Sequence, residues 1–402
     1  MAETSAVAVP IKALVVDDDP IIVTVLCAFL EAKGYVPDRA CNGREALERL
    51  AGGAFNLVIT DRHMPETDGL ALCRAIRAMP GEAYVYCIML TSSCDGDTLV
   101  AAMEAGADDF LTKPLNPVEL GARLRAAERM LSLEAGLASR NRALAQAYEQ
   151  LSRELELART MQQDLLPEPA QVGRVRYDWL FEPSSFVAGD TFDYFALDAR
   201  YQCFYVVDVS GHGVSAAMMA FNVQHQLLAS SQQMGLALLR SGSPLGVAAA
   251  AVVAEYNRRF LQMKDTSLYL TMLYGLVDTE AGSAALVQAG HPAALHSAGP
   301  GQPFAPIGDG GLPVGVLAGA QYEAQTVAMA PGARLALYSD GVTDCGDGTG
   351  QNFGLGRLRR VLDRARRAPL ADSGPALRSQ LLAWRGAGSF EDDVTFLVLE
   401  VC

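Results

Sequence analysis

Apolar and polar positions along the chain change rhythm twice. Up to about residue 128, short apolar runs alternate with stretches of helical periodicity. The runs are Ala13-Leu14-Val15-Val16, Leu57-Val58-Ile59-Thr60, Tyr86-Cys87-Ile88-Met89-Leu90 and Asp109-Phe110-Leu111-Thr112. Continuous apolar strands separated by helices predict a parallel sheet covered on both faces. From Pro117 no strand pattern returns until about Val175. Met130, Leu137, Leu144, Leu151, Ala158 and Leu165 recur every seven residues there, with Leu133, Tyr148 and Leu155 near the same stripe. That spacing predicts a long helix with a coiled-coil seam, in which Asn141 would fix register, and points to a parallel homodimer. The competing reading is a helix packed on its own domains, which the irregular second seam position suits.

Beyond Val175 the period-two pattern of antiparallel strands appears. It is seen at Phe204–Val207, Leu268–Val277, Ala284–Gln288, Ala324–Met329, Arg334–Tyr338 and Val394–Val401, with two helical stretches at about Val214–Met234 and Leu245–Gln262. Two sheets with helices outside them is the layering this favours. Residues Gly308–Gly319 read as a loop, either a flap or an ordinary connection. The expected domains are 11–128, a helical linker over 129–166, and 167–402.

Composition narrows the functional classes. Half of the 402 residues are hydrophobic, so the chain is globular and long enough for two or three cores. A net charge of -14 argues against a nucleic-acid-binding surface. No signal-like segment precedes Ile11, and no apolar run is long enough to cross a bilayer. The eight cysteines show no C-x-x-C pairing, which points to reduced thiols in a cytoplasmic protein.

The candidate chemistry sits at strand ends. In the first segment Asp17 and Asp18, Asp61, Thr91 and Lys113 each follow or close a different strand. Ligands of open α/β sheets bind outside the carboxyl ends of the strands, so these groups should meet. They suggest phosphoryl transfer to a carboxylate: Asp17 and Asp18 holding Mg²⁺, Asp61 as nucleophile, Lys113 neutralising the phosphoryl oxygens, and Thr91 bonding the new phosphate. Strand-end caps and a surface lysine would explain any one of them, but poorly explain all of them together.

This segment closely resembles the response-regulator receiver domain. The resemblance rests on Asp17-Asp18, on Asp61 in D-x-x-M-P-x-x-D-G, on Thr91, on Phe110 at the aromatic switch position, and on Lys113-Pro114. It implies a flavodoxin-like fold, Mg²⁺ bound by Asp17, Asp18 and Asp61, and phosphorylation of Asp61 by a sensor histidine kinase.

In the last segment Asp190 opens a strand, Asp208 closes the next, Asp340 follows Leu335–Ser339, and Glu391-Asp392-Asp393 leads into Val394–Leu399. Carboxylates at strand edges are plausible ligands for hard divalent cations, and four of them could form a two-metal site for in-line phosphoryl displacement. Turn and helix caps are the alternative role of such aspartates.

V-A-G-D-T-F-D, D-V-S-G-H-G-V-S-A-A, A-G-H-P-A, L-Y-S-D-G-V-T-D and E-D-D-V-T-F, in that order, resemble the SpoIIE-like branch of the metal-dependent Ser/Thr phosphatases (PPM). The resemblance covers about Met161 to the C-terminus and implies an α-β-β-α sandwich. It puts metal ligands at Asp190, Asp208, Asp340 and Asp392 with the Val209 carbonyl, and acidic neighbours at Asp193 and Asp393. It further implies two Mn²⁺ or Mg²⁺ ions and a phosphorylated STAS-type anti-anti-sigma protein as substrate. Ala188 stands where the family usually has Gly, and Asp344 where it often has Glu; neither removes a ligand. His212 is a minor candidate general acid, and His291 reads as structural. The rival from another class is a non-catalytic, phosphorylation-gated adaptor. A nucleotide cyclase, faintly echoed by Ala188–Phe192, leaves the later motifs unexplained.

Overall fold

The computed structural model describes residues 11–53, 55–79, 84–92, 96–211, 213–263, 268–386 and 389–402, so Cys94 and His212 lie outside it. The chain divides into two compact units, residues 1–150 and 151–402.

In the first unit strands and helices alternate: β1 Lys12–Val16, α1 Pro20–Ala32, β2 Val36–Ala40, α2 Gly43–Gly52, β3 Leu57–Asp61, α3 Gly69–Ala78, β4 Tyr86–Thr91, α4 Gly96–Glu104 and β5 Asp109–Thr112; α5, Pro117–Asp164, begins there and ends within the second unit. The sheet has the order β2-β1-β3-β4-β5, and every pairing is parallel. Strand β2, Val-Pro-Asp-Arg-Ala, lies at the edge and carries too few apolar residues for its pattern to show. The apolar runs of β1, β3 and β4 are buried on both faces and feed two separate cores. Helix starts are set locally: Asp19, Asn42 and Asp68 each accept a hydrogen bond from a first-turn N–H of α1, α2 and α3, satisfying donors a helix leaves open.

Helix α5 runs 48 residues. Leu120, Leu124 and Ala127 pack into the core of the first unit. The receiver-like segment's last helix and the expected linker are therefore one element, with no break at residue 128. Farther along, Leu133, Leu137, Leu144, Tyr148 and Leu151 are exposed.

The second unit contains β6 Gln171–Val172, β7 Val175–Glu182, β8 Asp190–Ala196, β9 Tyr201–Val209, α6 Val214–Ser230, α7 Leu236–Arg240, α8 Leu245–Phe260, β10 Leu270–Asp278, β11 Ser283–Ala289, β12 Ala294–Ser297, β13 Ala305–Ile307, β14 Ala324–Ala328, β15 Arg334–Tyr338, α9 Asp340–Asp344, α10 Gly354–Ala365, α11 Ser373–Arg385 and β16 Val394–Val401. A π-helical turn at Ser231–Gly235 joins α6 to α7. One sheet is ordered β14-β11-β10-β9-β8, the other β13-β12-β15-β16-β7-β6. Phe192, Phe204, Val206, Leu337, Leu397 and their neighbours fill the space between the sheets. The outer face of the first sheet packs on α6 and α8 through Tyr205, Val223, Val252 and Tyr256. The outer face of the second packs on α10 and α11 through Leu358, Leu362, Leu377 and Leu381.

This is the expected α-β-β-α sandwich, but it has more helices than the two expected from the pattern. Helix α10 reads Gly-Leu-Gly-Arg-Leu-Arg-Arg-Val-Leu-Asp-Arg-Ala; its buried residues Leu358, Val361 and Leu362 are spaced at i, i+3 and i+4. Arginines and two glycines dilute that stripe in the sequence, and packing against the sheet supplies the helix stability that propensity does not.

Candidate functional site: two clusters of carboxylates

In the first unit the carboxyl ends of β1, β3 and β5 bring Asp17, Asp61 and Lys113 together. The Lys113 ammonium lies 2.8 Å from Asp17 Oδ2 and 2.5 Å from Asp61 Oδ1. Asp17 and Asp61 are buried, whereas Asp18 is exposed. The second oxygen of each buried carboxylate is held by the main chain: Asp19 N donates to Asp17 Oδ1 and His63 N to Asp61 Oδ2. Burial works against the Lys113 charge, but the two carboxylates outweigh it and raise its pKa. Thr91 is buried at the end of β4, and its carbonyl accepts from Lys113 N. The half-buried Phe110 ring has the Arg123 guanidinium 5.7 Å from its centroid.

In the second unit Asp190 and Asp208 are direct cross-strand partners on β8 and β9. Side chains alternate along a strand. Phe192, Phe204 and Val206 belong to the core between the sheets, so Asp190 and Asp208 lie on that inner face, at its end. The other sheet contributes Asp340, just after β15, and Asp392, just before β16. Asp193, an odd number of positions from Asp190, lies on the opposite face of β8, where the side chain of Gln224 reaches it from α6. The structure therefore does not join Asp193 to the other four.

The cluster is held by residues whose roles the sequence did not disclose. Thr395 Oγ1 donates to Asp190 Oδ2 at 2.5 Å. Ser339 is fully buried: its Oγ donates to Asp393 O and accepts from Thr395 N, tying the two acidic loops together. Asp393 Oδ1 accepts from Ser184 N and Oγ, and Oδ2 from Gly189 N at 2.7 Å. Both of its oxygens thus brace the segment leading to Asp190, a clearer part than that of a metal ligand. Gln162, near the end of α5, grips the same segment from the other side. Its Nε2 donates to Ala188 O and its Oε1 accepts from Ala188 N, both at 2.9 Å. Ser339 and Thr395 stand inside the S-D-G and D-D-V-T-F motifs; Gln162 lies at the start of the stretch from about Met161 that the family resemblance covers.

Two glycines are required by close approach. A Cβ at Gly189 would meet the Val209 carbonyl oxygen at 3.1 Å, and one at Gly341 would meet the Asp393 carbonyl oxygen at 2.1 Å.

Burial, followed by the crowding of like charge, sets the electrostatics. Burial and the Asp208 and Asp393 charges push the Asp190 pKa well above the ordinary carboxylate range. Burial followed by Asp340, Asp392 and Asp393 raises Asp208 to about 7, and burial with Asp392 and Asp344 raises Asp340. Among the described residues no three His, Cys, Asp or Glu side chains meet in the geometry of a formed metal centre. The donor set is nevertheless one that hard divalent cations take, oxygen only and strongly anionic. A bound cation would replace the mutual repulsion with attraction, so these residues fit the metals the resemblance implies.

His291 is buried, with Nδ1 2.7 Å from Thr271 Oγ1. Burial drives its pKa down to about 3, so the ring is held neutral beside Thr271.

Comparison with known proteins finds a different family in each of the two units. Residues 13–125 match the response regulator receiver domain, and residues 198–402 match the stage II sporulation protein E family (SpoIIE). The second match spans half of the chain, and the protein belongs to the SpoIIE family, with a receiver domain preceding the family segment. The transcriptional regulatory protein TcrA of Mycobacterium tuberculosis is 35% identical over 119 residues, 30% of this chain and 46% of TcrA. ResD of Bacillus subtilis is 38% identical over 121 residues, 30% of this chain and 49% of ResD. The chain thus spans about half the length of these curated relatives. The SiaA-PP2C domain of Pseudomonas aeruginosa aligns with a TM-score of 0.55 at 23% identity, covering 64% of this chain and 99% of that domain; it shares the fold. Among the described residues no helix is long and apolar enough to cross a membrane.

Proposed function

We propose that the protein is a receiver-regulated, metal-dependent phosphoserine/phosphothreonine protein phosphatase. The observation that carries this reading is the pairing of Asp190 with Asp208 across adjacent strands, facing Asp340 and Asp392 from the opposing sheet. Asp190, Asp208, Asp340 and Asp392, with the Val209 carbonyl, would hold two Mn²⁺ or Mg²⁺ ions. Bound there, the ions supply charge neutralisation at the phosphoryl group and an activated water. The chain's own contribution is placement. Thr395 and Ser339 fix Asp190 and the two acidic loops, and Asp393 and Gln162 clamp the approach to Asp190 from two sides. Such preorganisation is where phosphoryl-transfer enzymes gain most of their rate.

In the receiver, Asp61 is the phosphoacceptor, Asp17, Asp18 and Asp61 would hold Mg²⁺, and Lys113, Thr91 and Phe110 report its state. A sensor histidine kinase is the donor, and the phosphorylated substrate is a STAS-type anti-anti-sigma protein. The exposed heptad stripe of α5 supports a parallel homodimer through that helix. Since α5 begins in the receiver core and ends in the Gln162 clasp, it is the element through which Asp61 would bias the phosphatase.

The test is metal-dependent dephosphorylation of candidate phospho-STAS proteins by wild type, Asp208→Ala and Asp340→Ala, with Asp61 free or carrying beryllofluoride. Hydrolysis lost in both variants and changed by beryllofluoride is expected. Binding of the phosphoprotein without hydrolysis would favour the adaptor instead.

A further inference from the structure

Eight of the chain's 32 Lys and Arg residues fall between Phe353 and Arg385, against two aspartates, Asp363 and Asp372, in a protein of net charge -14. Helices α10 and α11 form this stretch, and a cavity of about 330 Å³ opens between them, lined by Arg357, Arg360, Arg364, Gln380 and Trp384. Arg357, Arg360 and Arg364 are spaced at i, i+3 and i+7 and so share one face of α10. They span about 10 Å along its axis.

The three are not equivalent. The Arg357 guanidinium lies 3.7 Å from the centroid of the Trp384 ring and donates to the Asn352 and Phe353 carbonyls. The Phe353 ring backs Trp384 edge-on at 6.3 Å. A rigid aromatic floor with a fixed cation at one end results. Arg360 and Arg364 are exposed, and among the described residues neither has a carboxylate partner. Two neighbouring arginines are occupied: Arg359 bonds Phe304 O, and Arg378 pairs with Glu182. Two unpaired guanidiniums beside an aromatic floor are an unfavourable concentration of like charge in the free protein, and become favourable when an anion enters.

We propose that the groove between α10 and α11 docks an acidic segment of a protein partner, with Arg357, Arg360 and Arg364 meeting its carboxylates and Trp384 its apolar positions. The spread of charge over about 10 Å matches carboxylates repeated along a peptide and exceeds what one phosphate needs. Arg and Trp are also the residues that dominate binding at protein interfaces. The acidity of the rest of the chain disfavours nucleic acid as the occupant. The groove shares no lining residue with the carboxylate cluster and does not depend on the phosphatase reading.

The test is fluorescence anisotropy of a fluorescein-labelled octaglutamate peptide with the full-length protein at low salt. Three proteins are compared: wild type, Arg360→Glu/Arg364→Glu, and the control Arg366→Glu/Arg367→Glu, which reverses equal charge outside the groove. We expect saturable binding, weakened at least tenfold by the groove pair and less than threefold by the control, with far-UV circular dichroism unchanged. Equal loss in both double variants would mean diffuse attraction to basic surface and would overturn the proposal. So would displacement of the peptide by equimolar pyrophosphate, which would mark a small-anion site. Hydrolysis of p-nitrophenyl phosphate by the same proteins is expected to be equal, which keeps failure of this proposal separate from failure of the enzymatic one.

Discussion

Replacement of Gly341 by alanine tests how closely the two acidic loops must approach. A Cβ at this position would lie 2.1 Å from Asp393 O and 2.9 Å from Asp393 C, where ordinary contact begins at 3.4 Å. Both obstructing atoms are backbone, so no side chain can swing away. The segment carrying Asp340 must therefore separate from the segment carrying Asp392 by about 1.3 Å, and a displacement near 1 Å at a reacting centre costs on the order of 100-fold in rate. That corresponds to about 2.7 kcal/mol in the barrier. The overpacking itself should destabilise the fold by about 1–3 kcal/mol. Gly341 has no positive φ, so alanine adds a contact without backbone strain. Gly356→Ala is the matched control: it lies in α10 with nothing within 4 Å of the added Cβ and should stabilise by about 1 kcal/mol with no change in rate. The assay is initial rates of p-nitrophenyl phosphate hydrolysis over a manganese series, with urea denaturation on the same samples. A Gly341→Ala protein within threefold of wild type, at the same half-saturating manganese concentration, would refute the reasoning.

Three further outcomes follow from the packing. The folded pKa of His291 is depressed to about 3 from an ordinary 6.5, so between those values the unfolded chain binds a proton that the folded chain does not. Stability should therefore fall as pH drops below 6.5, by up to about 1.4 kcal/mol per unit, and His291→Gln should flatten the urea midpoint between pH 7 and 5.5 relative to wild type; equal slopes would contradict this. Arg334, nearly buried, bonds Glu400 at 2.6 Å and caps the end of α10 through the Ala365 and Ala368 carbonyls. Arg176 still pairs with Glu400 at 2.9 Å, so Arg334→Met should cost about 1–3 kcal/mol for the lost hydrogen bonds, less in a Glu400→Met background, whereas additive losses would show that the pair is not coupled. Gln162→Leu leaves both main-chain groups of Ala188 without their partner. At about 1–3 kcal/mol for the lost pair, exchange of the Ala188 amide should rise at least fivefold, and unchanged protection would show the clasp to be dispensable.

Much of the architecture was legible because its signals are local. The receiver strands are apolar on both faces, and Asp17, Asp61 and Lys113 sit at their carboxyl ends by topology alone. The sandwich strands and the four acidic positions were equally readable, because motifs mark strand ends. What stayed hidden depends on contacts between distant segments. Asp193 and Asp190 look alike in sequence, but strand alternation puts them on opposite faces. Asp393 stands beside a proposed ligand in sequence, and only the fold brings Ser184 and Gly189, some two hundred positions away, onto both its oxygens. Helices α10 and α11 owe their existence to burial against β7 and β16, which no window of sequence contains. The Arg357–Trp384 contact is of the same kind.

If Asp190, Asp208, Asp340 and Asp392 act together as a divalent-cation site, the number of manganese ions bound at equilibrium, read from the electron paramagnetic resonance of the free ion, reports it. An Asp17→Asn background would silence the receiver site. Two bound ions, both lost or greatly weakened by Asp208→Asn, is the predicted result. A count that Asp208→Asn leaves unchanged would contradict the account.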